Sequence, residues 1–555
     1  MSTAAAAPLD AVRTPLRRES PLTGLGHLSR HIVRRDRVRM VVWAASVVVF
    51  VAYFVFALST VFDPSALAAR AAVMRTPSGI VMGGPGYGLD HYTAPVAVAN
   101  EGTMWIVLAL AIMSIMHVVR HTRAAEGDGQ AELVRAAAVG RHAPGVATML
   151  TLAVHLLVIA VLSAATMVAV GTGLSAADAF AMMLGCAASA LVFGAAALVA
   201  SQVSVHARTA SGLSLAVVAG AFVVRAAGDI RQPGGSLLSW FSPIAWAQQL
   251  RAFVDLRWWP VLLSVVVALV LLGLAALLAT RRDFGAGLLE SRPGPATARA
   301  GLRSPVRLAW LQQRGTLLWT TVGLGLMWFG TGTLMSTLND MVADLVGTNP
   351  VLGRLFGTDP AAFTSSFLAV VMLFVSLCAA AYAIVMGLRP RAEESAGRLE
   401  VTLATPVSRT RWLGAQVLVA GIGTVVLLAV SVYGLWLGSI LVGVDEPGLA
   451  DYSLVLVGRL PAVLVFLALP AALFAWWPRF AGLAWILLAY VFVGGMFGQL
   501  FDLPEWVLGI SPFHWVPEAF GPDPDLSGVA GLVAALVALG ALAFAGFRRR
   551  DVLTA

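Results

Sequence analysis

Twelve apolar runs, each long enough to cross a bilayer as a helix, recur along the 555-residue chain, near 40–62, 103–119, 146–171, 177–202, 209–228, 259–280, 316–336, 364–387, 412–442, 452–477, 480–500 and 526–547. About 20 helical residues rise ~30 Å, the depth of the hydrocarbon layer. No water reaches backbone N–H and C=O groups inside that layer, so each run is expected to close its own hydrogen bonds as a helix. Composition agrees: 59% of residues are hydrophobic and 12% charged, against about 25% charged in soluble domains. The expected fold class is an all-α polytopic membrane protein with about 12 transmembrane helices. A soluble enzyme, a disulfide scaffold and a disordered chain are excluded.

All 37 basic side chains are arginine, with no lysine anywhere. A P-loop needs a lysine to reach the β- and γ-phosphates. The chain therefore has no Walker A site of its own, and no catalytic residue is assigned. Twelve spans place both termini on one side. Loops on that side hold 29 arginines and the opposite loops 6, so the positive-inside bias predicts cytoplasmic termini in a multi-pass cell-membrane protein. The net charge of +8 belongs to these flanking loops and implies the lipid bilayer, not nucleic acid, as its partner. Cys186 and Cys378 lie in apolar runs, where a thiol packs as a small hydrophobe.

Internal repetition divides the chain. At an offset of 268, residues 123–141 align without a gap on 391–409 and match at 8 of 19 positions. The same offset pairs Arg281, Arg282 and Asp283 with Arg549, Arg550 and Asp551, and an offset of 269 pairs Ser242, Pro243 and Trp246 with Ser511, Pro512 and Trp515. Two parallel six-span repeats follow, because six is even and each half begins and ends on the same side. The expected domains are a cytoplasmic segment 1–39 with an interfacial helix, a first six-span domain 40–283, a cytoplasmic linker 284–315 with a second interfacial helix, a second six-span domain 316–551 and a tail 552–555. The two interfacial helices rest on Leu25, Leu28, Ile32 and Val33, and on Val306, Trp310 and Leu311, apolar residues at helical spacing beside arginines.

The spans offer little for chemistry. They contain no Asp or Glu away from their edges, which argues against proton coupling. Arg459 is expected to snorkel to the outer interface, and His155 to be a hydrogen-bonded packing residue. His117 and His121 stand at i and i+4, a metal-holding spacing, but no third ligand is visible in the sequence and no metal is assigned. The repeated loops are more informative. Glu126 and Glu132 stand between Arg123 and Arg141 in the first, and Glu393, Glu394 and Glu400 between Arg391 and Arg409 in the second. Each forms a charged knob able to dock into another protein, and a duplicated knob suggests a two-fold partner.

The RxxE...GxxE...R loop of both halves, the Gly- and Pro-rich first external loop at 83–92 (GGPGYGLDHY), the SPxxW elements and the terminal RRD resemble the two-repeat membrane permeases of ABC-type exporters for polyketide antibiotics, of the tetronasin-export type. That resemblance implies two fused six-span type-2 exporter domains and outward movement of bulky amphipathic compounds. It implies two copies of a separately encoded ATP-binding subunit, which would hold ATP and Mg; no cofactor is expected on this chain. The glutamates of the two loops would be the coupling elements, unequal where Ala125 and Gln130 stand opposite Glu393 and Arg398. Phe50, Phe54 and Met104, with Trp328, Met335 and Met372, are candidates for lining a substrate cavity. Two other classes are weighed beside this one: an ion-coupled secondary transporter, and a membrane-embedded transferase with a lipid-linked donor that would draw on Asp63, Asp90, His91 and Glu101.

Overall fold

A computed structural model describes residues 20–61, 64–283, 285–289, 296–297, 302, 304–336, 360–497, 504–520 and 527–551. Asp63, the tail 552–555 and most of the linker 284–303 lie outside the described residues. The chain divides into two compact units, Met1–Gly294 and Pro295–Ala555. Among the described residues the regular structure is entirely helical. The first unit holds α1 (Leu25–Phe56), α2 (Thr103–Val119), α3 (Ala143–Val170), α4 (Ala176–Val203), α5 (Ala207–Arg231) and α6 (Trp259–Thr280). The second holds α7 (Pro305–Gly332), α8 (Pro360–Gly387), α9 (Arg409–Leu441), α10 (Leu449–Trp476), α11 (Ala484–Phe497) and α12 (Ser527–Arg549).

Helix ends follow local chemistry. Proline, which lacks the N–H that a first turn cannot use, opens α7 and occupies the first turns of α3 and α6. Ser408 caps α9 by accepting from the Arg411 N–H at 3.3 Å, and Asp451 reaches back to the Gly448 N–H at 2.8 Å to start α10.

Each unit packs in the same way: its first helix on its third, its third on its fourth, and its second and sixth on its fourth. The fourth helix is therefore central. In α4, 78% of the most apolar stretch is buried, against 17% in α6, whose outer face is left for lipid. Small residues let α4 take that place: Ala179, Ala181, Ala190, Ala195 and Ala197 have no exposed surface, and close backbone approach replaces bulky packing where lipid is already apolar.

Eleven helices among the described residues are long and apolar enough to span a membrane. The expected seventh span is present as α7 but falls short in hydropathy, because threonines, tryptophans and glycines interrupt it. Its glycines explain why. A Cβ added at Gly332 would lie 2.2 Å from the Leu435 carbonyl oxygen, and one at Gly438 would lie 2.1 Å from that of Phe329, so α7 and α9 meet backbone to backbone. Gly438→Leu is expected to cost about 1–3 kcal/mol by overpacking, read as a lowered thermal midpoint of the purified protein. Gly323→Ala, on α7 where an added Cβ meets nothing, should not lower the midpoint, because alanine favours the helix over glycine.

Two sequence expectations need correction. The segments expected as separate interfacial helices are continuous with the first span of each unit: α1 runs unbroken for 32 residues and α7 for 28. Neither Arg35–Arg37 nor Arg314 interrupts them, since arginine is a good helix former. Arg459 does not snorkel. It is buried against α8, donating to the Met372 carbonyl at 3.3 Å and the Ser376 hydroxyl at 3.2 Å. His155 is a packing residue as expected, its Nε2 lying 3.0 Å from the Met40 carbonyl.

Candidate functional site: two braced acidic loops

The acidic loop of each unit joins its second long helix to its third. In the first unit a π-helical turn, Arg120–Ala124, leads into short helices Ala125–Gly127 and Gln130–Arg135; in the second the helices are Arg389–Ser395 and Arg398–Leu403. Gly129 at φ 72° and Gly397 at φ 69° open the second short helix of each loop. A left-handed residue is needed at both turns, and glycine takes it without strain.

Each loop is braced against the chain that follows its unit's sixth helix. Glu126 accepts from Arg282 through both oxygens, at 2.6 and 2.9 Å, and from Arg123 at 2.6 Å. Glu394 accepts from Arg550 through both oxygens, at 2.6 and 2.5 Å. The pairs stand at matching positions, since 126 and 394, like 282 and 550, differ by 268; Arg282 uses both terminal nitrogens and Arg550 a single one, Nη2. Arg123 is buried and also donates to the carbonyls of Val205 (2.6 Å), Gly285 (2.8 Å) and Ala286 (3.0 Å). Arg282 further binds the Gln202 side-chain oxygen at 2.7 Å. Arg550 donates to the Phe474 carbonyl at 3.0 Å and lies over that residue's ring. At the far end of each loop Arg141 donates to the Ala279 carbonyl at 2.8 Å, and Arg409 to the carbonyls of Arg548 and Arg550.

The other predicted loop residues divide by exposure. Glu393 is buried and receives both a 2.7 and a 3.0 Å bond from Arg398, and those hydrogen bonds hold the Arg398 guanidinium above its ordinary pKa. Arg391 is half-buried. Glu132 and Glu400 are exposed. Beside them stand two apolar side chains in water, Leu133 at 78% and Val401 at 72% exposure. Each loop thus has a braced base and a free tip of one acidic and one aliphatic residue.

The cavity candidates fall elsewhere. Met104, Trp328, Met335 and Met372 are buried in the cores of their own units, Met104 with its sulfur 3.3 Å from Arg225. Phe50 is exposed and stacks on half-buried Phe54 at 5.9 Å. A cavity of about 640 Å³ in the first unit is lined instead by Arg35, His121, Glu126, Arg141 and Arg282 among others. On the loop 83–92 side, Glu101 pairs with Arg70 and accepts from Tyr92 at 3.0 Å. Burial, and next the Glu101 charge, push the Tyr92 phenol above its ordinary pKa, keeping it a donor. Asp90 pairs with Arg75 at 2.6 Å. Asp90 and Glu101 therefore serve separate ion pairs.

Sequence reasoning overlooked Arg282 and Arg550 as site residues, although their offset of 268 was the available signal. It also overlooked Asp36, which supplies the third potential ligand beside His117 and His121, and Asp229, a carboxylate at 1% exposure held by Arg225 at 3.5 Å and by the Ser239 hydroxyl at 2.6 Å. The repeated SPxxW elements do form one device: Trp246 and Trp515 each donate to the carbonyl six residues earlier, Trp240 at 2.7 Å and Gly509 at 2.8 Å.

Residues 302–548 match the family described as multidrug efflux system permease Rv1217c, C-terminal domain. Over 547 residues, 96% of each chain, the sequence is 36% identical to the multidrug efflux system permease protein Rv1217c of Mycobacterium tuberculosis. That similarity runs through both units, the one with the forked Glu126–Arg282 pair and the one with Glu394–Arg550, and the chain belongs to the multidrug efflux system permease family.

Proposed function

We propose that this chain is the membrane permease of an ATP-driven exporter of bulky amphipathic compounds, drugs and polyketide antibiotics among them. Two copies of a separate subunit would bind ATP and Mg. The observation that carries the reading is the pair of matching loop tips, Glu132 with Leu133 and Glu400 with Val401, each exposed on a loop whose base is braced to the end of a sixth helix. A partner with two equivalent grooves would take the aliphatic side chain as an anchor and the glutamate as a charge key. A push on either tip would pass through Glu126 and Arg282, or Glu394 and Arg550, to α6 or α12. Closing and opening of the partner dimer could thereby bias two states of the permease. In this reading the loops and both termini are cytoplasmic, in line with the 29 arginines counted on that side. The functional repeats are 40–283 and 316–551.

Leu133→Arg together with Val401→Arg tests the tips, since both side chains already face water and the change should not disturb folding. Co-reconstituted with the ATP-binding subunit, the double variant is expected to lose at least about tenfold in drug export, the equivalent of one modest hot-spot contact. Undiminished export would remove the tips from the interface. Drug pumping by vesicles holding this permease as their sole protein would overturn the ATP-driven reading altogether.

A further inference from the structure

We propose that Asp36, His117 and His121 form a binding site for a divalent transition metal, zinc in its tetrahedral form, which ties α1 to α2. One ring nitrogen of each histidine and one carboxylate oxygen of Asp36 lie within 4.8 Å of one another. Ligand atoms in a tetrahedral zinc site stand about 3.3 Å apart, from zinc–nitrogen and zinc–oxygen distances of about 2.0–2.2 Å. Metal binding would draw the three side chains together by up to about 1.5 Å. Two nitrogens and one carboxylate are a zinc donor set that leaves a fourth position open.

The surroundings orient these donors. Arg120 Nε binds Asp36 Oδ1 at 3.2 Å, while Oδ2 faces His121 Nε2 at 2.8 Å. The Thr151 hydroxyl donates to the Ala147 carbonyl at 2.9 Å, so toward His117 Nε2, 3.2 Å away, it can only accept. His117 is thereby set in the tautomer that leaves Nδ1 a lone pair, the outer-shell arrangement that fixes metal-bound histidines. Asp36 and His117 are buried. His121 belongs to the π-helical turn Arg120–Ala124, an irregularity that concentrates at functional sites. It also lines the cavity of about 640 Å³, which supplies a route for the ion.

The fold does not require this cluster. At the offset of 268 the second half carries Val385 and Arg389 in place of the two histidines, and α7 holds no Asp or Glu, yet α7 packs on α9 there as α1 does on α3 in the first unit. A buried carboxylate and two histidines kept in one half alone are better accounted for by a ligand than by packing.

The test uses the full-length permease purified in detergent without a polyhistidine tag. Zinc titrated against a chelating dye should bind at one equivalent per chain, and His117→Asn with His121→Asn should weaken that binding about 100-fold or more, at least the upper range for losing an outer-shell partner. Cobalt added to the wild-type protein should give the intense visible absorption of a tetrahedral N/O site. Wild-type protein that takes up no stoichiometric zinc, or a folded double variant that binds it undiminished, would overturn the site. Should the variant fail to fold, the cobalt spectrum decides, and its absence in the wild-type protein overturns the site equally.

Discussion

Arg225→Met is expected to be among the most damaging single substitutions in the first unit, at about 3–5 kcal/mol, the usual cost of stranding one partner of a buried ion pair. Arg225 has no exposed surface and donates to the carbonyls of Ile80, at 3.0 Å, and Val81. Those two groups lie near the C-terminal end of the short helix Pro77–Gly83, where the helix end is negative; the Ile80 carbonyl also accepts from the Gly84 N–H at 2.9 Å. The guanidinium binds both carbonyls and pins that helix to α5. Its ion-pair partner Asp229 would be left buried with the Ser239 hydroxyl as its hydrogen-bond donor. Arg225→Met with Asp229→Leu should recover most of the loss, because replacing both members of a buried pair by apolar groups is often near neutral. A remainder of about 1 kcal/mol is expected for the orphaned Ser239 hydroxyl and the Val81 carbonyl. Thermal unfolding measures the ladder of wild type, single and double variants. Faster amide exchange over 77–83 in both variants would mark release of the pinned helix. A single variant as stable as the wild type would show that the pair contributes nothing.

The polytopic helical architecture, eleven of whose helices among the described residues are long and apolar enough to span a membrane, was legible because lipid selects for uninterrupted apolar length, a one-dimensional property. The boundaries of α1 and α7 were not, since an arginine-rich turn reads as a membrane edge although arginine continues a helix well. Burial of the loop glutamates was also hidden. Glu126 and Glu132 look alike in sequence, and what separates them is an arginine 156 residues away, as for Glu394 and Arg550. The offset revealed both halves of each pair as repeated motifs, but only three-dimensional folding of the loop against the end of the sixth helix joins them. Asp36 was concealed in the same way: among Arg34, Arg35 and Arg37 it reads as part of a solvated face, whereas its neighbours His121 and Arg120 come from another helix.

Charge reversal at Arg550 should separate coupling from folding. Arg550→Glu places two carboxylates together where Glu394 is 7% and Arg550 14% exposed, and removal of such a buried partner costs about 3 kcal/mol or more. The same change frees the Phe474 carbonyl and its ring, so the end of α12 should lose its charged link to the loop while Phe547 still packs on Phe474 of α10. Drug export is expected to fall to background. Glu394→Arg combined with Arg550→Glu rebuilds the ion pair in reverse and should restore part of the export, while the lost Phe474 contacts keep it below wild type. Arg282→Glu with Glu126→Arg makes the matching cycle in the first unit, where Arg123 at 2.6 Å from the reversed position adds a like-charge repulsion. Rescue should therefore be weaker there than in the second unit. Export measured across both cycles gives two coupling energies. Values near zero would mean that the glutamate–arginine pairs hold nothing that transport uses, whereas a large value in the second unit and a smaller one in the first would identify the end of each sixth helix as the lever that the loops move.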